Sequence, residues 1–329
     1  MSVANVKPAR SLDVTPIEVG RFWRNGFVRL RGLLSPDELS RLQGAMADAI
    51  ASFATSPNSY DLTAAADQVW KAGETVSDQG SVQHDLDALA LAVRNSNLPR
   101  LVDRADDGAP RGNFLLDTSV WRRVPALADF ALNSRLPKIA ATLLDVTQLR
   151  FYDDQIFVKE PGAVDRAAFH QDLSYFHLDG EAGCVFWIPL SDVRRGGGAM
   201  GYVPGSHRWG QLYKPNIFAS ALPFPGSAGL DMPAIDADPD EFGVEYVEAD
   251  AGDVVVHHFL TIHGSEGNRG PTPRRAFSLR YCDADIRYRH RAGAPAQPLH
   301  HPDMADGDPL DDAIHPVAYR VSEKRRRAG

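Results

Sequence analysis

The sequence predicts a mainly β fold with helices packed around it, and three observations point there. Apolar residues recur at helical spacing over much of the first 145 residues, whereas from about residue 148 the period drops to two. The second half strings short apolar runs between turn-rich segments and shows no parallel βαβ alternation. With 43 % hydrophobic and 24 % charged residues, the 329-residue chain has enough apolar material for a large core, which excludes disorder along its whole length.

The elements follow in order. Thr15 is a good N-cap and Pro16 suits the first helical turn, so a helix carrying Ile17, Phe22 and Trp23 should start there and stop near Gly26. FVRLRG at 27–32 alternates as a strand. Ser35-Pro36-Asp37-Glu38 is a capping box worth about 1 kcal/mol, and it opens a helix with Leu39, Leu42, Met46 and Ile50 on one face. Residues 55–118 mix short helical patches with Gly, Pro and Asp. Residues 119–145 look helical again, with Pro125 and Pro137 as breaks or first-turn positions. Strands are expected near 148–159, 184–190, 243–248, 252–258 and 275–282, with turns at Gly196-Gly197-Gly198 and Pro204-Gly205 between them. This organisation reads as one catalytic domain over 1–329. About 10–145 is mostly helical, about 146–290 is the β core that carries the site, and about 291–329 is a C-terminal tail. The connection 211–242 is long enough to serve as a lid, with Phe218, Leu222 and Phe224 as an apolar cover, or to pack as a surface excursion.

Composition removes several function classes. The net charge of −8 makes the chain a poor non-specific partner for nucleic acid or an anionic membrane, and the basic cluster Lys324 to Arg327 reads as a solvated tail. Apolar runs such as Cys184 to Leu190 fall far short of the roughly 20 residues of a membrane span. Cys184 and Cys282 sit in apolar strands and read as buried hydrophobes rather than a disulfide framework. The N-terminal segment has no apolar stretch of signal-peptide type, so a reducing cytoplasm fits. The expected partner is a small-molecule substrate; oligomeric state is not legible.

The sharpest chemical feature is His170-Gln171-Asp172. On an extended segment, residues i and i+2 point the same way, so an imidazole and a carboxylate stand side by side as half of a metal site. His263, just after GDVVVHHF, is the best third ligand. Two His and one carboxylate leave open positions for non-haem Fe(II), which can then bind a co-substrate and dioxygen. Arg274, followed by Arg275, comes eleven residues after His263. A fixed guanidinium opposite a metal suits a dicarboxylate co-substrate, one end on the metal and the other on the Arg. His257 and His258 are assigned to packing or to hydrogen bonds behind the ligands. His177 and His207 are placed near the mouth or in turns, and His300-His301 in an exposed tail. At most one of Asp153 and Asp154 can point inward, because adjacent strand residues face opposite ways. Gly196 to Gly198 lacks the surroundings of a phosphate loop and reads as a tight turn.

The blocks FHQDLSYF (169–176), GCVFWIPL (183–190), GGGAMGYVPGSHRWG (196–210) and GDVVVHHFLTIHGSEGN…PRRAFSLRY (252–281), in this order, resemble the phytanoyl-CoA dioxygenase family, whose members are Fe(II)- and 2-oxoglutarate-dependent oxygenases. The likeness covers about 150–290 strongly and extends to the opening GFVRLRGLLSPDEL. It implies a double-stranded β-helix, or jelly roll, of cupin-like form. It implies that His170, Asp172 and His263 bind Fe(II) and that Arg274, with Arg275 as the alternative, holds the distal carboxylate of 2-oxoglutarate. Trp187, Ser265 and Gln155 match positions lining the co-substrate site. The implied reaction uses 2-oxoglutarate and O2 to hydroxylate an unactivated C–H bond, releasing succinate and CO2. Related halogenases replace the carboxylate ligand with a small residue, so Asp172 favours hydroxylation or another oxidative outcome. Two other readings stand beside this one. A jelly-roll isomerase or hydrolase using another metal would have no use for Arg274 and Trp187. A non-catalytic ligand-binding jelly roll would have no use for the intact triad. The substrate itself is not legible.

Overall fold

The structure, a computed structural model, describes residues 13–70, 101–103, 111–295 and 303–321. Helix α1 (Pro16–Asn25) begins as its sequence requires. Glu18 N–H donates to Thr15 Oγ1 at 3.3 Å and Thr15 N–H donates back to the Glu18 carboxylate at 2.8 Å. It ends at Gly26, whose φ of 82° is open to glycine without strain. Only Phe22 of its three large apolar residues is buried; Ile17 and Trp23 face outward. There follow β1 (Phe27–Leu30), α2 (Pro36–Ala51), β2 (Ser59–Asp61), α3 (Leu62–Trp70), β3 (Phe114–Thr118), α4 (Pro125–Asn133), α5 (Leu136–Leu144), β4 (Gln148–Lys159), β5 (Ala167–His170), β6 (Leu178–Asp179) and β7 (Gly183–Pro189). The chain continues through β8 (Met200–Tyr202), β9 (Glu245–Val247), β10 (Val254–His258), β11 (His263–Ser265), β12 (Arg274–Asp283), β13 (Arg287–Tyr288) and β14 (Val317–Arg320).

Among the described residues every pairing between these strands is antiparallel. The large sheet runs β1-β10-β7-β12-β4-β3-β2 with β14 also on β4, and the smaller one runs β5-β11-β8-β9. Two cores explain why the strands are buried on both faces. Phe277, Leu279 and Tyr281 of β12 join Phe186 and Ile188 of β7 and the apolar faces of α2, α4 and α5 on the outer side. On the inner side Phe27, Trp187, Val255 and Ala276 of the large sheet meet Met200 and Tyr202 of the small one. Phe27 stacks on Tyr202 with ring centroids 4.6 Å apart. The two sheets thus form the walls of a cleft, the arrangement expected of a jelly roll.

Two expectations need correction. The stretch 55–118 holds an expected helical patch in α3, but it also contributes strands β2 and β3 to the large sheet. The segment after 291 is not a free tail, because β14 pairs with β4 and Leu310 and His315 are buried. His300, His301 and the basic cluster at 324–327 lie outside the described residues. Among those described, no helix is long and apolar enough to cross a membrane.

Candidate metal centre

Strand parity and pairing bring the three predicted ligands together. His170 ends β5 and lies opposite His263 at the start of β11. Gln171 remains extended, with φ −109° and ψ 133°, so Asp172 follows on the same side before a single 3-10 turn begins. One ligand atom from each of His170, Asp172 and His263 lies within 4.8 Å of the others, and all three residues are buried. Asp172 Oδ1 is 3.9 Å from His170 Nε2, and its Oδ2 is 3.8 Å from His263 Nε2.

The surroundings prepare these atoms as ligands. His170 Nδ1 donates to the Ala168 carbonyl at 2.8 Å, and His263 Nδ1 donates to the Thr261 carbonyl at 2.9 Å. Each bond commits the proton to Nδ1 and leaves the Nε2 lone pair facing the cluster. Burial, followed by the neighbouring His263, lowers the His170 pKa to about 3; burial and then His257 lower that of His263 to about 4. Both rings are therefore neutral near pH 7, as metal ligation requires. Burial pushes the Asp172 carboxyl up, but His263 and His257 outweigh it and hold the group well below the usual carboxylate range. His257 Nε2 donates to Asp172 Oδ2 at 3.0 Å, which is the hydrogen bond behind the ligands that the sequence suggested. His258 points the other way, packing on Phe22, Trp23 and His207. His207 sits in a turn as expected, while His177 is buried, with Nε2 donating to the Pro295 carbonyl at 3.1 Å.

Arg274 opens β12 and lines the same cleft as the triad. Its guanidinium lies 5.6 Å from the Trp187 ring centroid, and its buried Nε has no partner among the described residues. Burial lowers its pKa to about 10, which still leaves it charged near neutrality. Arg275 is exposed on the opposite face, so of the two arginines Arg274 is the one that faces the cleft. Gly198 is part of the same arrangement. Its φ is 83°, and a Cβ there would lie 2.8 Å from Arg274 Nε. The Gly-rich turn is therefore tight both in backbone conformation and in its approach to Arg274. Trp187, Ser265 and Gln155 all line the cleft too.

Sequence reading missed two buried cations, Lys159 and Arg280, and expected that at most one of Asp153 and Asp154 would face inward. Lys159 is completely buried beside Arg274, its cross-strand neighbour. Its Nζ donates to the carbonyls of Asp165 (2.9 Å) and Glu266 (2.6 Å) and to Ser265 Oγ (3.0 Å), and it lies 4.2 Å from the Phe114 ring centroid. Burial and then Arg274 push its pKa well down. The available signal was parity, since Gln155, Phe157 and Lys159 alternate on one strand. Arg280 is a second buried arginine lining the cleft. Asp154 turns away and caps the turn at 120–122, accepting from Val120 N–H at 2.6 Å and Trp121 N–H at 2.9 Å. Of the connection 211–242, Phe218 reaches the site, its ring centroid 4.9 Å from that of His170.

Known proteins were compared with this chain. The family model described as phytanoyl-CoA dioxygenase (PhyH) matches residues 22–276. Phytanoyl-CoA dioxygenase 1 of Oryza sativa subsp. japonica is 30 % identical over 127 residues, 39 % of this chain and 42 % of that protein. The peroxisomal phytanoyl-CoA dioxygenase of Rattus norvegicus is 34 % identical over 125 residues, 37 % of this chain and 35 % of that protein. These matches span under half of the relatives' own length. Among solved structures, the α-ketoglutarate-dependent carbocyclase SnoK from nogalamycin biosynthesis has a TM-score of 0.61 at 23 % identity, covering 93 % of this chain and 97 % of that one. EctD from S. alaskensis with 2-oxoglutarate and 5-hydroxyectoine has a TM-score of 0.57 at 18 % identity, covering 97 % and 91 %. At such identities the structural likeness establishes the fold alone.

Proposed function

Since this chain belongs to the phytanoyl-CoA dioxygenase family, we propose that it is an Fe(II)- and 2-oxoglutarate-dependent dioxygenase that hydroxylates a C–H bond of a small molecule. The observation that carries the reading is the pairing, in one cleft, of the preset His170, Asp172 and His263 donors with a buried arginine whose Nε has no partner among the described residues. Two neutral imidazoles and a carboxylate suit a divalent first-row metal and leave coordination positions open. When bound, Fe(II) with 2-oxoglutarate and O2 supplies oxidative decarboxylation to succinate and CO2 coupled to insertion of one oxygen atom into a C–H bond.

The chain's own residues do the remaining work. Arg274 receives the distal carboxylate of 2-oxoglutarate, and each charge-assisted hydrogen bond contributes roughly 1.5–3 kcal/mol. Trp187 packs beside that guanidinium and fixes its plane. Ser265 Oγ accepts from Lys159, so its own proton is turned toward the cleft as a further donor. Gln155 lines the wall opposite, and Phe218 shields the His170 side from water. Cys184 and Cys282 are both buried in their apolar strands, as the sequence suggested.

The test needs no substrate. Metal-free protein is mixed anaerobically with Fe(II), 2-oxoglutarate is added, and the visible metal-to-ligand charge-transfer absorption is recorded for wild type, Asp172→Ala and Arg274→Ala. The band is expected in wild type, lost in Asp172→Ala and displaced to higher 2-oxoglutarate concentration in Arg274→Ala. Wild-type protein that binds iron and develops no band would sink the proposal.

A further inference from the structure

We propose that Arg280 is the substrate anchor of this cleft, and that the substrate therefore carries an anionic group, a carboxylate or a comparable oxyanion. The inference rests on the proposed metal and co-substrate site and adds the class of the second ligand.

Arg274 and Arg280 stand on the same face of β12, six residues apart. At about 3.3 Å per residue their Cα atoms are roughly 20 Å apart along the strand. A five-carbon dicarboxylate held by Arg274 spans well under half that length, so it meets Arg280 only where both side chains lean toward the triad. Yet Arg280 is no peripheral charge. It is 4 % exposed, lines the cleft with the triad, and acts electrostatically on all three ligands. Across the sheet Arg280 lies level with Val185 of β7 and, through it, with His257 of β10, which bonds Asp172. The cleft thus has a cation at each end, and Arg280 is the one on the ligand side.

Arg280 is also held and incompletely used. Its Nη2 donates to Gln155 Oε1, its guanidinium lies 5.5 Å from the Phe176 ring centroid, and its buried Nε has no partner. Asp153 lies opposite it in the β12–β4 register; the two make no ion pair among the described residues, although the charge on Arg280 counters the upward push of burial on the Asp153 carboxyl. One Asp153 oxygen accepts from Ser119 Oγ at 3.0 Å and the other has no partner. A fixed, desolvated guanidinium whose Nε is left without an acceptor is expensive to bury. A planar fork in that state selects a carboxylate-like group.

A carboxylate reaching Arg280 could also be the metal-chelating end of the co-substrate, so the experiment separates the two sources. Benzoate with benzamide, and octanoate with octanamide, are titrated by calorimetry into wild type, Arg280→Gln, Arg280→Lys and the double variant Asp153→Asn/Arg280→Gln. Each protein is run both metal-free and loaded anaerobically with Fe(II) and 2-oxoglutarate. Wild type should bind each acid at least about tenfold more tightly than its amide. That preference should collapse in Arg280→Gln and persist in part in Arg280→Lys, with 2-oxoglutarate affinity within about twofold of wild type in both. The double variant removes the facing carboxylate, so a preference restored there would make Arg280 a counter-charge to Asp153 and overturn the proposal. So would an acid preference surviving in Arg280→Gln, wild type that binds no acid more tightly than its amide, or a loss of 2-oxoglutarate affinity matching that of Arg274→Ala. A missing charge-transfer band in wild type is scored separately: it removes the metal reading, while the metal-free titrations still report on Arg280.

Discussion

The hydrogen bond from His257 to Asp172 offers a sharp test of how the site is built. Asp172 is ionised and can only accept, so His257 Nε2 must carry the proton it shares at 3.0 Å. His257 itself is wholly buried in β10, and burial lowers its pKa, so it serves as a neutral donor. A buried hydrogen bond to a charged acceptor contributes about 1.5–3 kcal/mol, which corresponds to roughly 10- to 150-fold in an equilibrium constant. Outer hydrogen-bond partners of metal ligands independently carry about 10- to 100-fold in metal affinity. His257→Leu should therefore weaken Fe(II) or Co(II) binding by about 10- to 100-fold, measured by anaerobic competition with a chromophoric chelator. His257→Gln, whose Nε2 can stand near the imidazole Nε2, should recover a large part of that loss. Equal metal affinity in wild type and His257→Leu, with both folded, would refute the idea that Asp172 needs an orienting donor. Equal loss in both variants would mean that ring packing against His263, at 4.2 Å between centroids, is what matters.

Two further outcomes are expected. Gly198→Ala should cost about 1–2 kcal/mol of stability through the positive φ and should weaken 2-oxoglutarate binding about tenfold by displacing Arg274, while leaving metal affinity unchanged; titration of the Fe(II) protein checks this, and unaltered 2-oxoglutarate affinity contradicts it. His315 is buried against Tyr152, with Nδ1 donating to the Tyr152 carbonyl at 2.8 Å, and burial lowers its pKa to about 4. Since the unfolded side chain titrates near about 6.5, the unfolded state binds more protons between the two values. The stability this group contributes is present above pH 6.5 and is lost as pH falls toward 4. His315→Asn, which keeps a donor near Nδ1, should show a shallower fall in Tm between those pH values than wild type, and an identical slope would show that His315 is not responsible.

The metal triad was legible because two ordinary rules combine there. Positions i and i+2 of an extended segment share a side, and His263 follows a strand strong enough to recognise. Arg274 is preferred over Arg275 from the family resemblance and not from strand parity, because β12 is buried on both faces over most of its length and has no polar side to reveal its facing. The strands that hold the ligands were missed, since β5 and β11 have four and three residues and are too short for a period to register. Strand β14 was missed for the same reason, compounded by its distance from the rest of the core in sequence. A lysine ending a strand reads as a solvated end. The burial of Lys159 depends on acceptors at 165, 265 and 266, and nothing near it in sequence announces them. Arg280 reads as the polar partner of Leu279 and Tyr281 on a half-exposed strand. Helices covering that outer face reverse the inference, because the side facing away from them is the cleft.

These missed residues also reconcile the charge of the chain with its proposed chemistry. The protein as a whole carries −8, which makes it a weak partner for polyanions at its surface. Its cleft has the opposite character: Arg274 and Arg280 line it together with Asp172, so buried guanidinium groups outnumber carboxylates there even before a metal is added. Low-dielectric walls concentrate that field along the cleft axis. An acidic exterior disfavours extended polyanions, while a recessed positive interior admits small ones that shed their water on entry. Under this arrangement 2-oxoglutarate and a second compact anion are drawn to opposite ends of the same cleft, with the triad between them. Discrimination then depends on which anion can leave its negative group at Arg280 and a C–H bond beside His170, Asp172 and His263.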